Sequence, residues 1–252
     1  MNQPTTVVPR PGRGALPIAR GHALTHRGCI RPANEDAILA DPSGILWAVA
    51  DGMGGHEGGA IAADLVVDSL AAISDEASPA EALEDAIDAA NARVRQAARQ
   101  RGAQTMGATV VALFIAQGIA HVAWAGDSRA YLLRGRRLRM VTHDHTVVQD
   151  MVDRGQLDKA AAEGHPEAHI ITRAVGAADE IEVDHAAVPL LTGDRLILCS
   201  DGLPRCVYES VIEAIAGLGG SAEATCEALI RRALEEGSPD NVSVIVVDLL
   251  AR

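Results

Sequence analysis

Residues 109–141 read TVVALFIAQGIAHVAWAGDSRAYLLRGRRLRMV. Thr109–Ala116 and Ile119–Trp124 are short apolar runs that read as strands. Gln117-Gly118 between them is a two-residue turn signal, so the pair is expected to fold back as a hairpin. Ala130–Leu133 and Leu138–Val141 flank Arg134-Gly135-Arg136-Arg137, a second hairpin. Consecutive hairpins make neighbouring strands antiparallel. A doubly wound parallel sheet would need a regular alternation of strands and helices, which is absent.

The same reading extends in both directions. Upstream, His22–Thr25, Asp36–Leu39 and Ile45–Ala50 are strand candidates, the last two joined by an Asp41-Pro42-Ser43-Gly44 turn. Ala60–Ile73 carries a helical stripe of Ile61, Leu65, Val66, Leu70 and Ile73. Pro79–Arg101 has Ser78 as its expected N-cap, Pro79 at its first position and a stripe of Leu83, Ile87, Ala90, Val94 and Ala97. Downstream, 146–170 is polar and partly helical, without a core stripe. Ile181–Pro189 and Asp194–Cys199 return to strand, Val211–Ile215 and Ala222–Glu235 read as helices, and Ser243–Leu249 is a final strand. The expected class is α+β, with antiparallel sheets and helices packed outside them. Residues 1–20 read as a flexible leader and 21–252 as one domain without linker or internal repeat.

The chain has 252 residues, 48% of them apolar and 22% charged, an ordinary globular balance with ample material for a core. Lys and Arg total 22 against 34 Asp and Glu, a net charge of -12. That surface repels phosphate backbones, so nucleic-acid binding and polybasic attachment to membranes are excluded. Aromatic residues are only 2%, too few for base-stacking platforms. No apolar run approaches the ~20 residues of a membrane span. The N-terminus lacks the apolar region of a signal peptide. Cys29, Cys199, Cys206 and Cys226 show neither C-x-x-C pairing nor metal-ligand spacing. They read as reduced, mostly buried thiols of a cytoplasmic protein.

The chemistry lies in where the acids fall. Asp51 ends one expected strand and opens Asp51-Gly52-Met53-Gly54-Gly55-His56. Asp127 follows a strand in Gly126-Asp127-Ser128-Arg129, and Asp201 another in Ser200-Asp201-Gly202. Asp240 precedes the last strand, and Glu35 and Asp36 stand just before an early one. Any single Asp-Gly pair is ordinarily a turn, and Asp41, Asp179 and Asp194 are read that way. Carboxylates gathered at strand ends would repel and raise one another's pKa. Hard divalent cations resolve that conflict, because they take oxygen ligands. Two such ions about 3.5–4 Å apart can clamp an in-line phosphoryl displacement. The glycines would let backbone carbonyls reach an ion.

The ordered set Arg31-x-x-Asn34-Glu35-Asp36, Asp51-Gly52-Met53-Gly54-Gly55-His56, Gly107-Ala108-Thr109, Gly126-Asp127-Ser128-Arg129, Asp144-His145, Thr172-Arg173-Ala174-Val175-Gly176, Ser200-Asp201-Gly202-Leu203 and Asp240-Asn241-Val242-Ser243 spans most of the chain. It resembles the PPM-type metal-dependent protein serine/threonine phosphatases, the phosphatase 2C family, in their compact bacterial form. The resemblance implies a central antiparallel β-sandwich flanked by helix pairs on both faces, a four-layer αββα fold, with a flap at about 146–170. It implies two divalent cations, Mn²⁺ or Mg²⁺, with Asp51 bridging them, Asp201 and Asp240 on the first and the Gly52 carbonyl on the second. Glu35 and Asp36 would hold waters on the ions, and Asp127 with Asp201 a third, weaker ion. Arg31 would hold the substrate phosphate, since a guanidinium matches phosphate oxygens bidentately.

The implied reaction is in-line attack of a metal-activated water on phosphoserine or phosphothreonine in proteins, without a phosphoenzyme. The implied partners are a bacterial serine/threonine kinase and its targets. A catalytically silent binding module and a phosphatase of small phosphometabolites are the alternative readings. Intact Asp51, Asp201 and Asp240 argue against the silent module.

Two positions depart from the family pattern. Met53 stands where eukaryotic relatives carry a His after the Asp-Gly pair, so leaving-group protonation falls to a metal-bound water or another group; His56 is the nearest His in sequence and reads as structural. Leu203-Pro204-Arg205-Cys206 replaces the small polar or acidic residue commoner after Ser-Asp-Gly-Leu. Elsewhere His145 is expected to be a structural hydrogen-bonding residue beneath the site, and Thr172 and Arg173 to anchor the return from the flap. Asp150, Asp153, Arg154, Glu163 and Glu167 read as a solvated flap face, with substrate contact as the functional alternative. Arg134, Arg136, Arg137 and Arg139 read as charges protecting an exposed sheet edge.

Overall fold

The computed structural model describes residues 16–54, 57–74, 77–103, 105–162 and 165–252. Its strands are β1 (Ile18–His26), β2 (Asp36–Ala40), β3 (Leu46–Met53), β4 (Gly107–Ala108), β5 (Val110–Ala116), β6 (Ile119–Ala125), β7 (Arg129–Arg134), β8 (Arg137–Met140), β9 (Asp184–Pro189), β10 (Arg195–Cys199) and β11 (Val242–Leu250). Its helices are α1 (Gly58–Ala71), α2 (Pro79–Arg101), α3 (Val147–Asp153), α4 (Lys159–Ala162), α5 (Glu209–Ala216) and α6 (Ala222–Glu235).

Alternation along single strands sets the layers. In β3, Leu46, Ala48 and Ala50 face one apolar layer, and Trp47 and Val49 face another. In β5, Val110, Ala112 and Phe114 point one way, and Val111 and Leu113 the other. In β11, Val244 and Val246 oppose Ile245 and Val247 in the same manner. Successive side chains leave opposite faces of a strand, so an unbroken apolar run is buried on both sides. One sheet runs β1-β11-β10-β7-β8 and the other β2-β3-β5-β6-β9, with β4 paired to the end of β3. All neighbouring strands in both sheets pair antiparallel. The sheets meet through the middle layer; α1 and α2 cover the outer face of the second sheet, α5 and α6 that of the first. This is the expected four-layer αββα arrangement.

The two hairpins of 109–141 form as read. Gln117 and Gly118 both have positive φ (51° and 75°), as do Gly135 and Arg136 (56° and 67°). That is the type I′ turn, whose twist matches the strands it joins.

Boundaries move where a distant partner extends a strand. β1 begins at Ile18 and pairs with β11 from Ile18 opposite Leu250 to His26 opposite Val242. Residues 18–20, placed in the leader, are therefore part of the sheet; residues 1–15 lie outside the described residues. β3 runs past Ala50 because β4 pairs with Gly52 and Met53, so Asp51 lies inside a strand. β9 starts at Asp184, while Ile181 and Val183 pack on the helix side without joining the ladder. Ser78 precedes α2 in an extended conformation, but its side chain makes no capping bond. The helix is closed instead by Gly102 at φ 64°, whose N–H reaches the carbonyls of Ala98 and Arg99.

All four cysteines are free, but only Cys199 and Cys226 are buried; Cys29 is exposed and Cys206 half-buried. Burial pushes the Cys199 and Cys226 thiols up to about 12. Among the described residues no helix is long and apolar enough to cross a membrane.

Candidate metal centre

Antiparallel register delivers the acids to one end of both sheets. Asp36 opens β2 directly opposite Asp51 near the end of β3. Asp201 follows β10 and Asp240 precedes β11, and these strands pair with Cys199 opposite Val244. Their loops meet where the Ser200 N–H donates to the Ser243 carbonyl at 3.1 Å. Asp127 lies between β6 and β7, and β7 sets Arg129 opposite Cys199. That loop therefore joins the same end.

The glycines after Asp51 and Asp201 do more than turn the chain. A Cβ on Gly52 would stand 2.2 Å from the Gly59 carbonyl oxygen and 2.5 Å from that of Glu35. A Cβ on Gly202 would stand 1.9 Å from the Asn241 carbonyl oxygen. Only glycine lets the start of α1 touch β3, and the loop after β10 touch the approach to β11.

Neutral side chains fix the acids. Asp36 Oδ2 accepts hydrogen bonds from Ser200 Oγ at 2.8 Å and Ser243 Oγ at 2.6 Å. The Glu35 N–H donates to Asn241 Oδ1 at 2.8 Å. Asn241 Nδ2 donates in turn to the carbonyls of Arg27 at 3.0 Å and Ala33 at 2.9 Å. The Asp51 N–H reaches Thr109 Oγ1 at 3.3 Å, and Thr109 shares a 2.7 Å hydrogen bond with Ser128.

The electrostatics follow from this crowding. Burial holds the Asp51 carboxyl well above its ordinary value, reinforced by Asp36, Asp201, Asp127 and Asp240. Burial also raises Asp36, outweighing its two serine bonds, and raises Asp127 and Asp201 against the opposing charge of Arg205. Burial works upward on Asp240 too, but Arg31 and the Asn241 N–H outweigh it and leave that carboxyl low. Two buried oxygens, Asp36 Oδ1 and Asp201 Oδ1, have no hydrogen-bond partner. Unpaired buried acceptors of one charge sign call for a cation. An all-oxygen donor set of aspartates, a glutamate and a backbone carbonyl fits Mg²⁺ or Mn²⁺.

Two arginines already stand on these acids. Arg31 donates through Nε and Nη2 to the two oxygens of Asp240, both at 2.8 Å. Arg205 Nη2 lies 2.5 Å from Asp201 Oδ2 and 3.9 Å from Asp127 Oδ2, and its Nη1 lies 3.5 Å from Asp240 Oδ2. Among the described residues no three His, Cys, Asp or Glu side chains form a group able to hold a metal as they stand. Asp201 and Asp240 have oxygens engaged by Arg205 and Arg31.

The Gly126 N–H donates to His145 Nδ1 at 3.1 Å. The ring proton therefore sits on Nε2, which faces Asp184 Oδ2 at 3.2 Å. Burial lowers the pKa of His145 and keeps it neutral. It is a structural residue beneath the site, as expected. The Thr172 N–H donates to the His145 carbonyl at 2.8 Å, and Arg173 holds Asp184 at 2.7 Å, anchoring the return from the flap. In the flap, Thr146 caps α3 by accepting the Gln149 N–H at 3.2 Å. Asp153 is held by His143 at 2.7 Å.

Met53 lies beside Gly107, with no hydrogen to offer a leaving group. His56 and Glu163 lie outside the described residues. β8 is the edge strand carrying Arg137 and Arg139, but Arg134 is not an edge charge. It pairs bidentately with buried Asp194 at 2.8 and 2.6 Å, which makes Asp194 more than a turn residue. Sequence reasoning assigned no role to Ser200, Ser243, Asn241 or Arg205. The first three sit inside motifs already singled out, and Arg205 sits at a marked departure from the pattern.

A family model described as "Protein phosphatase 2C" matches residues 31–228. The chain is 36% identical over 246 residues to the serine/threonine protein phosphatase PstP of Mycobacterium tuberculosis, covering 92% of this chain and 45% of that protein. It thus spans about half the length of that relative. It is 35% identical over 235 residues to the serine/threonine phosphatase stp of Listeria monocytogenes, covering 89% of this chain and 93% of that protein. The catalytic domain of PstP in complex with two manganese ions superposes with a TM-score of 0.84 at 35% identity, covering 92% of this chain and 98% of that one.

Proposed function

This chain belongs to the protein phosphatase 2C family, and from that premise we propose that it is a metal-dependent phosphatase of phosphoserine and phosphothreonine in proteins. The observation that carries the reading is the pair of unpartnered buried oxygens, Asp36 Oδ1 and Asp201 Oδ1, in a cluster centred on Asp51. Asp51, Asp201, Asp240 and the Gly52 carbonyl are the groups that would hold two divalent cations. Bound there, the cations supply the charge that activates water near neutral pH and offsets the phosphoryl oxygens.

The chain's own residues do the positioning. Ser200 and Ser243 fix Asp36, and Asn241 fixes the backbone of Glu35; both acids would hold waters on the ions. Arg31 stands at the rim with its side chain about half exposed (53%), within reach of an arriving phosphate. Its planar fork, which now spans both oxygens of Asp240, equally fits two phosphate oxygens. No side chain needs to accept the phosphoryl group, in keeping with the unreactive thiols of Cys199 and Cys226.

The finer parts of the reading are Mg²⁺ as an alternative to Mn²⁺, a third ion at Asp127 and Asp201, a bacterial serine/threonine kinase as the opposed activity, and a cytoplasmic location. The test is hydrolysis of a phosphothreonine peptide with added Mn²⁺ and with chelator. Parent protein should turn over only with metal, and Asp51→Asn should lose at least about 10³-fold in kcat, as removal of a metal-catalysed step requires. Undiminished activity in Asp51→Asn, or in excess chelator, overturns the proposal.

A further inference from the structure

The loop after β10 carries a cation into the acid cluster. Leu203 and Val207 are buried beneath α5 and α6 and anchor the loop on either side of Arg205. The Arg205 N–H donates to the Asp201 carbonyl at 3.0 Å, closing a helical turn that puts residues 201 and 205 on one face. Its side chain, 35% exposed, then spans three acids: Asp201 at 2.5 Å, Asp240 at 3.5 Å and Asp127 at 3.9 Å. Asp201 is divided between two tasks. Its Oδ2 meets Arg205, while its Oδ1 stays buried without a hydrogen-bond partner.

A guanidinium and a divalent ion cannot occupy the same carboxylate oxygens. The guanidinium brings one charge and fixed donors, and it is tethered at the site, so an ion from solution must displace it. Among the described residues no arginine pairs with Asp51 or Asp36, and Asp36 Oδ1 and Asp201 Oδ1 are buried without a hydrogen-bond partner, whereas Asp240 is shared between Arg31 and Arg205. We propose that Arg205 is a built-in cation of the cluster, which competes with a divalent ion on the Asp127–Asp201 side and keeps a third ion from binding at concentrations that load the other two. The proposal rests on the two-ion reading above and adds what sets the number of ions.

The experiment counts Mn²⁺ bound to the chelator-stripped full chain, by calorimetric titration and by the electron-paramagnetic signal of free Mn²⁺. Parent protein should bind two ions, with any third far weaker. Arg205→Ala and Arg205→Gln should keep those two and bind a third at least about tenfold more tightly than the parent does, the scale of a lost close charge. Adding Asp127→Asn to either variant should abolish the gain, and Arg205→Lys, which keeps the charge, should stay closer to the parent. Isotherms of Arg205→Ala and Arg205→Gln that match the parent's overturn the role of Arg205 while leaving the two-ion reading intact. A parent chain that binds no Mn²⁺ overturns the two-ion reading and this proposal together. The glutamine variant preserves side-chain length and polarity, so the comparison survives if the alanine variant fails to fold.

Discussion

Asn241 is buried (4% exposed) and satisfies three backbone groups from one preceding loop. It accepts the Glu35 N–H and donates to the carbonyls of Arg27 and Ala33. Arg31 lies between those contacts, so the clamp orders the segment that carries the phosphate-binding candidate. Truncating Asn241 to Ala leaves these groups without a partner, at about 1–3 kcal/mol for each that water cannot reach. The expected outcome is a loss of about 2–4 kcal/mol in urea unfolding and a fall of roughly 10–100-fold in kcat/KM on a phosphopeptide, since small misplacements near a reacting centre have that effect. An Asn241→Ala protein with parental unfolding and kcat/KM would show that the loop holds itself. Gly52→Ala carries a different risk, because its Cβ would meet two backbone carbonyl oxygens that cannot swing away. Overpacking of this kind costs about 1–3 kcal/mol or more, and a thermal midpoint equal to the parent's would refute the tight contact. The acids themselves were legible in the sequence, because several acids at strand ends next to Gly or Asn are a local pattern. Asn241, Ser200 and Arg205 were not, because their partners lie in other loops and only the folded chain brings them together.

At the scale of elements, the hairpins were the readable part and the ladders between distant segments were not. Gln117-Gly118 decides its turn by its own backbone preferences, and β5 and β6 then pair from Val110 opposite Ala125 to Ala116 opposite Ile119. β4 is two residues long and exists only because β3 and Val175 pass beside it, so no periodicity could announce it. β1 is likewise lengthened by β11, whose sequence lies at the other end of the chain. The turn offers a direct check on this account. Gln117 adopts φ 51°, a region Asn enters far more readily than Gln. Gln117→Asn is therefore expected to stabilise the chain by about 0.5 kcal/mol, read as a higher urea midpoint at unchanged slope. A lower midpoint would mean that the turn is held by something other than its backbone geometry. α2 supplies the complementary case. Ile87 is fully buried against the second sheet, and Ile87→Ala should cost about 2–5 kcal/mol in the same measurement.

For the molecule as a whole, the net charge of -12 is not spread evenly in its consequences. Asp36, Asp51, Asp127 and Asp201 share one end of the sandwich, and burial holds all four carboxyls above their unfolded-chain values, Asp36 and Asp127 at about 7. Without divalent cations the folded chain thus binds more protons than the unfolded chain between the ordinary aspartate value, about 4, and neutrality. The stability tied to those protons is complete below about pH 4 and is lost as pH rises through the folded values. Asp240 acts in the opposite sense, because Arg31 and the Asn241 N–H hold it low, but it is one group against four. Divalent cations need the carboxylates ionised, so their binding strengthens over the same interval in which the chelated protein weakens. At a hundredfold excess over Kd, a ligand specific for the folded state adds about 2.7 kcal/mol. For a chain of this length that corresponds to a shift in Tm of roughly 5–10 °C. Thermal unfolding in chelator and in excess MnCl₂ should therefore show a Tm increment that is small at pH 5 and several-fold larger at pH 8. A constant increment across that range would mean that the four acids are already ionised in the metal-free fold. In that case the arginines on the cluster, Arg31 and Arg205, would be neutralising it more completely than their four carboxylate contacts suggest.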